Sequence, residues 1–163
     1  MDIYTTIDSP LGEILLVGDG TALTRLSFAP AAPQTAGLRR DDLKFVEAER
    51  QLGEYFAGER TAFDLPLRPR GSAFQERVWT ELAGLPYGTT TSYGALAARI
   101  GAPADRIRAV GAAVGANPLL VLLPCHRVVA ADGALTGYAA GLERKRALLT
   151  LEGVLQPQLW STL

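Results

Sequence analysis

The chain has 163 residues, 48% of them hydrophobic, with 16 Lys/Arg against 17 Asp/Glu and only one cysteine and one histidine. That length buries a real core, as one domain or two small ones, and the apolar residues fall in short groups with no run of about eighteen, which excludes a membrane-spanning helix. A single cysteine excludes an internal disulfide, and one cysteine with one histidine excludes an all-protein Cys/His zinc site, so no structural metal is expected.

The opening Met1-Asp2-Ile3-Tyr4-Thr5 has no basic region followed by an apolar stretch, so a cytoplasmic protein is expected. Charge is unevenly distributed. Residues 1–69 hold 7 Lys/Arg and 11 Asp/Glu, a net of −4, whereas 70–163 hold 9 and 6, a net of +3. Only the second part suits a polyanion, although solvated helix faces produce an excess of this size as well.

In chain order, Ile3 to Ile7, Glu13 to Val17 and Ala22 to Phe28 read as three strands of a meander. Turns at Ser9-Pro10-Leu11-Gly12 and Asp19-Gly20 separate them, and Asp-Gly is a tight-hairpin signal. Ala29 to Leu38, rich in Ala and Pro, reads as a surface loop. Leu43, Val46, Leu52, Tyr55 and Phe56 recur at helical spacing and predict a helix over 41–56, capped by Asp41 or Asp42. Pro66, Pro69 and Gly71 interrupt the pattern where the charge changes sign. The predicted boundary therefore divides an N-terminal α/β domain, 1–69, from a C-terminal domain, 70–163.

Phe74, Val78, Trp79, Leu82 and Leu85 form one face of a helix that stops at Pro86-Tyr87-Gly88. Short helices are predicted from Tyr93 to Arg99 and from Ala104 to Gly115. Joined through Gly101-Ala102-Pro103, they make a helix-turn-helix candidate. Leu119 to Leu123 is a buried-looking apolar run, Asp132-Gly133 marks a hairpin or wing, and a last helix runs from Leu142 to Leu151 before Gly153.

The sole cysteine and sole histidine stand side by side in Leu123-Pro124-Cys125-His126-Arg127-Val128-Val129. Free cysteines are often inert packing, but positive charge or a base nearby favours the thiolate, and His126 and Arg127 are both adjacent. In extended chain, neighbouring side chains face opposite ways, so His126 reaches the sulfur only at a turn, which Pro124 allows, or through a water. Glu152 and Glu143 are both available to orient its imidazole, and spacing does not choose between them.

Pro124-Cys125-His126-Arg127-Val128 resembles the active-site signature of the O6-alkylguanine-DNA alkyltransferases. The similarity continues through Phe74-Gln75-x-x-Val78-Trp79, Pro86-Tyr87-Gly88, Ser92-Tyr93-x-x-Leu96-Ala97, Arg108-Ala109-Val110-Gly111, Asn117-Pro118, Gly137-Tyr138 and Glu152-Gly153, covering residues 72–153. The N-terminal part resembles the family only loosely, through its meander and Tyr55-Phe56-x-Gly58. The resemblance implies an α/β chain: a small ribonuclease-H-like N-terminal domain of antiparallel meander plus helix, then a helical domain with helix-turn-helix and wing.

It further implies that Cys125 accepts the alkyl group from O6-alkylguanine in double-stranded DNA. His126 would take the thiol proton through a bridging water, Glu152 would orient His126, and Asn117 would brace the turn. Tyr93 would hydrogen-bond the departing guanine at N3, the N–H of Ala139 would face O6, and carbonyls of Cys125 and Val128 would take the exocyclic amine. Tyr138 would line the pocket.

Extruding the nucleotide costs a few kcal/mol of stacking and pairing. Arg108 matches the arginine that fills the gap, and Ala109, Gly111, Ala112, Ala113 and Gly115 make a bare helix face suited to the minor groove. The same small residues would equally let two helices pack closely. A thioether product has no electrophilic centre for water, so one event consumes the protein, with no cofactor, as a monomer. Ile107 and Ala140 depart from the family pattern at the DNA-facing turn and the pocket loop, and O4-alkylthymine as a further substrate stays open. Two rivals remain: a cysteine hydrolase using Cys125, His126 and Glu152, and a helix-turn-helix module that binds DNA without chemistry.

Overall fold

The computed structural model describes residues 2–28 and 32–156. Three strands form where the meander is predicted: β1 (Ile3–Ile7), β2 (Ile14–Gly18) and β3 (Leu23–Phe28), each antiparallel to the next. Asp19 closes the second turn because its Oδ1 accepts from the N–H groups of Thr21 (2.9 Å) and Ala22 (2.8 Å), an Asx turn beside a bulge at Val17/Gly18. The sheet also has a fourth strand, β4 (Arg39–Arg40), parallel to β1, giving the order β3-β2-β1-β4. Two consecutive arginines carry no strand pattern, and the pairing is decided by the neighbouring strand.

The predicted loop over 29–38 falls partly outside the described residues; what is described includes a 3-10 turn, Ala32–Thr35. The helix predicted over 41–56 begins as a second 3-10 turn, Asp42–Phe45, and becomes α1 only at Val46–Phe56. The tighter turn rotates the early residues off the buried face, leaving Leu43 83% and Val46 56% exposed, contrary to the sequence reading. The face that packs is Phe45, Ala48, Leu52 and Tyr55. Asp41 makes no side-chain cap. Asp42 instead accepts from Thr5 Oγ1 (2.7 Å) and Arg40 Nε (2.8 Å), tying the turn to the sheet.

Beyond the connection, α2 (Ala73–Ala83) starts at a capping box between Ser72 and Gln75. Gly71 is required before it, because a Cβ there would lie 2.4 Å from the Trp79 ring. A short strand β5 (Thr91–Ser92) leads into α3 (Tyr93–Arg99), N-capped by Ser92 through Ala95 N. Then come a 3-10 turn, Ala104–Arg106, and α4 (Ile107–Gly115). Trp79 Nε1 donates to Ala113 O (2.8 Å), locking α2 to α4. A strand β6 (Val128–Val129) runs parallel to β5, and α5 (Leu142–Leu151) closes the described fold. Asp132-Gly133, predicted as a hairpin or wing, forms a tight turn in which Gly133 N donates to Ala130 O (2.8 Å) and Ala130 N to Ala134 O (3.0 Å), and among the described residues no strand pairing extends it.

The outer edge of β3, not paired within the sheet, joins the two parts. At Leu23 it bridges Leu67, from the connection. At Leu26 it bridges Leu119, from the apolar run that leads to Cys125, with Leu26 N donating to Pro118 O (2.9 Å). One continuous hydrophobic core therefore runs from Ile3 and Leu52 to Val110 and Leu148. The chain turns from this edge toward Cys125 at Val121, whose φ of 71° is unfavourable for a β-branched side chain and persists only because the run is buried. Among the described residues no helix is long and apolar enough to cross a membrane.

Candidate active site

Cys125 begins a 3-10 turn, Cys125–Arg127, held by Arg127 N donating to Pro124 O (3.0 Å). The bend allowed by Pro124 is therefore present, and all three side chains of the turn are buried. Asn117 supports the segment from both sides: its Nδ2 donates to Leu123 O (2.8 Å) and its Oδ1 accepts from Leu119 N (2.9 Å).

Behind the turn, His126 Nε2 lies 2.7 Å from Glu152 Oε2, just past the end of α5. Glu143, the other carboxylate open from sequence, sits exposed at the start of that helix. Arg127 turns onto the same carboxylate, with Nε to Oε1 (2.8 Å) and Nη2 to Oε2 (2.9 Å), and its Nη1 donates to Leu85 O (2.6 Å). Tyr55 of α1 adds a fourth hydrogen bond, Oη to Oε2 (2.5 Å).

Burial pushes the Glu152 carboxyl up, but the hydrogen bonds from His126, Arg127 and Tyr55 outweigh it and hold it at about 2. Burial pushes His126 below the usual histidine range, opposed by Glu152 and reinforced by Arg127 and Lys145, so the imidazole is neutral at neutral pH. An ionised Glu152 accepts, so the proton sits on Nε2 and Nδ1 keeps its lone pair. Nδ1 is buried with no protein partner among the described residues.

The depressed carboxyl has a consequence for stability. Its contribution is complete above the unfolded value near 4.5 and is lost as pH falls through the folded value near 2. Urea unfolding across that window is expected to show a loss of roughly 3 kcal/mol that is absent in Glu152→Gln. Comparison with that variant is needed because Asp19 and Glu47 are also depressed and titrate in the acid range.

Adjacency suggested that Arg127 would activate the sulfur, but its guanidinium is committed to Glu152 and Leu85. The cation whose charge reaches Cys125 is Lys145 of α5, which is fully buried and donates to the carbonyls of Val128 (2.7 Å), Thr136 (2.6 Å) and Gly137 (3.3 Å). Burial nevertheless dominates and raises the thiol to about 11, against the opposing effects of Asn117 and Lys145. At rest Cys125 is a protected thiol rather than the thiolate that its charged neighbours implied.

In front of the sulfur lies a cavity of about 270 Å³ lined by Tyr93, Val114, Cys125, Tyr138 and Ala139 together with Gly111, Gly115 and Gly137. Larger concavities on the N-terminal surface and beside α5 contain neither the cysteine nor the histidine. Of the residues singled out from sequence, Tyr93, Gly111, Cys125, Tyr138 and Ala139 therefore meet at one cavity. Asn117, His126, Val128 and Glu152 stand outside its lining. Thr136 Oγ1 donates to the Tyr93 hydroxyl (3.3 Å), and the Tyr138 hydroxyl is buried without a partner among the described residues.

The carbonyls expected to take an exocyclic amine already accept one bond each, Cys125 O from Val128 N and Val128 O from Lys145, which leaves each a second lone pair. Arg108 is exposed on α4, and Ala109 lies partly buried beside it. Gly111 faces the Tyr93 ring, where an added Cβ would sit 3.8 Å from the ring, and Ala112 and Gly115 are exposed, but Ala113, counted from sequence with the bare face, is buried against α2. Ile107 is 41% exposed, its tip 4.0 Å from where a Gly94 Cβ would be.

The sequence reading missed Lys145 and Tyr55. Lys145, Leu148, Leu149 and Glu152 form an i, i+3, i+4, i+7 stripe, a buried helical face with a charge at each end, which a count of apolar positions alone does not reveal.

The family described as 6-O-methylguanine DNA methyltransferase matches this sequence twice, its ribonuclease-like domain over residues 3–69 and its DNA binding domain over 73–154. The N-terminal likeness thus extends over residues 3–69, beyond the meander and Tyr55-Phe56-x-Gly58. The methylated-DNA--protein-cysteine methyltransferase of Mycolicibacterium paratuberculosis is 50% identical over 151 residues, 91% of each chain. That of Methanosarcina acetivorans is 45% identical over 154 residues, 92% of this chain and 97% of its own. Among solved structures, Mycobacterium tuberculosis O6-methylguanine methyltransferase superposes with a TM-score of 0.88 at 47% identity over all of both chains. A complex of the Mycobacterium tuberculosis protein with DNA gives 0.87 at 50% identity over 92% of each. With both domain matches, this identity and this fold together, the chain belongs to the 6-O-methylguanine DNA methyltransferase family.

Proposed function

We propose that this protein repairs alkylated DNA by moving the alkyl group from O6 of guanine to Sγ of Cys125, once per molecule. The observation that carries the reading is a lone buried thiol at a cavity lined by two tyrosines, backed by the His126–Glu152 pair. A bond forms between Sγ and the alkyl carbon while the bond from that carbon to O6 breaks. The thiol proton passes through a water to His126 Nδ1, the Tyr93 hydroxyl gives its proton to the departing guanine so that it leaves as a neutral base, and the imidazolium and tyrosinate so formed are reset by proton exchange with solvent. Raising the resting thiol to about 11 protects it, and the proton is removed only when an alkyl carbon is in line.

Asn117 braces the turn, Glu152 orients His126, and Tyr138 lines the base pocket, with the Ala139 N–H toward O6 and the Val128 and Cys125 carbonyls toward the amine. Arg108, Ala109 and Gly111 of α4 would meet double-stranded DNA, with Arg108 filling the gap left by the extruded nucleotide. In this reading residues 1–69 are the supporting domain and 70–163 the alkyltransferase domain. The protein works as a monomer without a cofactor. A thiol spent in this way suits a reducing compartment, so we assign the cytoplasm.

Intact-mass measurement after incubation with an O6-methylguanine duplex tests the reaction. The expected result is a gain of one methylene on Cys125 that saturates at one equivalent; catalytic release of the methyl group as methanol would favour the hydrolase rival.

A further inference from the structure

We propose that Tyr55 is a positioning residue for the transfer: its hydroxyl, supplied by the N-terminal part, shares Glu152 Oε2 with His126 and sets how strongly that carboxylate draws the imidazole proton. The inference rests on the relay proposed above and extends it to the other half of the chain. Tyr55 is fully buried on α1, 97 residues from Glu152 in sequence. Its ring is seated against Phe56 and Phe63, both with centroids at 5.3 Å, and Tyr87 at 6.3 Å, so the hydroxyl has one direction open to it. Burial and the neighbouring Glu152 push the phenol far above its ordinary range, which makes it a permanent donor.

A carboxylate offers about four lone-pair sites. Glu152 receives four donors, Tyr55 Oη, His126 Nε2 and Arg127 Nη2 on Oε2 and Arg127 Nε on Oε1. Three of these donors meet Oε2, and the contact with Tyr55, at 2.5 Å, is the shortest. A carboxylate carrying four donors, three of them on the oxygen that faces His126, does not take the proton of the imidazole, and its charge is divided between His126 and the other donors. The ionisable groups that act on His126 are Glu152 at the end of α5, Arg127 on its own turn and Lys145 within α5. Tyr55 of α1 and Tyr87 of the loop after α2 act on it through Glu152. Removing the Tyr55 hydrogen bond leaves Arg127 in place and concentrates charge toward His126, which stabilises the imidazolium.

Because His126 is the only histidine, its ring signals are unambiguous in an NMR titration of the free protein. Tyr55→Phe is expected to raise its midpoint by about one pH unit, and the low-pH limb of the single-turnover transfer rate should move the same way. A purely structural tyrosine would lower the melting temperature and leave both midpoint and limb where they are, and that result overturns the proposal. Should Tyr55→Phe fail to fold, 3-fluorotyrosine at position 55, a stronger donor, is expected to lower the midpoint; an unmoved midpoint again overturns it. The titration needs no DNA. Absence of transfer by the wild-type protein therefore sinks the reaction itself, whereas an unmoved midpoint in a protein that transfers sinks only the role of Tyr55.

Discussion

Cys125→Ser is expected to abolish alkyl transfer, with the rate falling by roughly 1,000-fold or more, while affinity for duplex DNA stays within about threefold of wild type. A serine hydroxyl is harder to deprotonate than a thiol and less nucleophilic once deprotonated, and the neutral His126 behind it is too weak a base to compensate. The exchange removes little volume from the cavity wall, a hydroxyl can take the place of the thiol beside Asn117, and the Asn117 bonds to Leu123 O and Leu119 N remain, so the fold is expected to hold. Single-turnover transfer and equilibrium DNA binding, measured on the same preparation, check both halves of the expectation. Transfer persisting in Cys125→Ser would remove the acceptor assignment. Transfer missing from the wild type, with binding intact in both, would leave the DNA-binding module that the sequence kept as a rival.

Glu152→Gln is expected to be the most destabilising isosteric change in the site. It removes the carboxylate hydrogen-bonded to Arg127, whose side chain is 8% exposed, and turns an amide N–H toward donors already aimed at Oε1 or Oε2. Stranding a buried guanidinium costs about 3–5 kcal/mol, which for a chain of this size lowers the melting temperature by roughly 10 °C. Transfer should also slow by roughly 100-fold, because the imidazole loses the group that fixes its tautomer and orientation. Glu143→Gln is the matched control. That carboxylate is exposed, and both stability and rate should stay near wild type. Equal effects from the two variants, read by calorimetry and single-turnover rates, would mean that the buried carboxylate has no special place.

The contrast between these glutamates shows where sequence reading reaches its limit. Both lie within the last helical segment and its end, and spacing along the chain treats them alike. Only the packing of α5 against the Cys125 turn buries one and leaves the other in water. Arg127 is a similar case. Its position next to Cys125 suggested an activating charge, yet in a 3-10 turn successive side chains diverge, and the guanidinium found its partner on another helix. The N-terminal part was legible as a meander and a helix, since alternation, Asp-Gly and helical spacing are local signals. The displaced start of α1 and the strand at Arg39–Arg40 were not, because tertiary pairing decided them.

From sequence alone came the meander, the short helices around a Gly/Pro turn, the single thiol beside the single imidazole, and through the resemblance the residues that meet at the cavity. These are properties of residue type and spacing, which a linear chain carries without folding. Tertiary structure alone decided that the thiol rests protonated, that Lys145 is the cation near it, and that Tyr55 reaches the relay from the other half. Each of those depends on burial and on distances between segments far apart in sequence, and dielectric and geometry exist only once the core has closed.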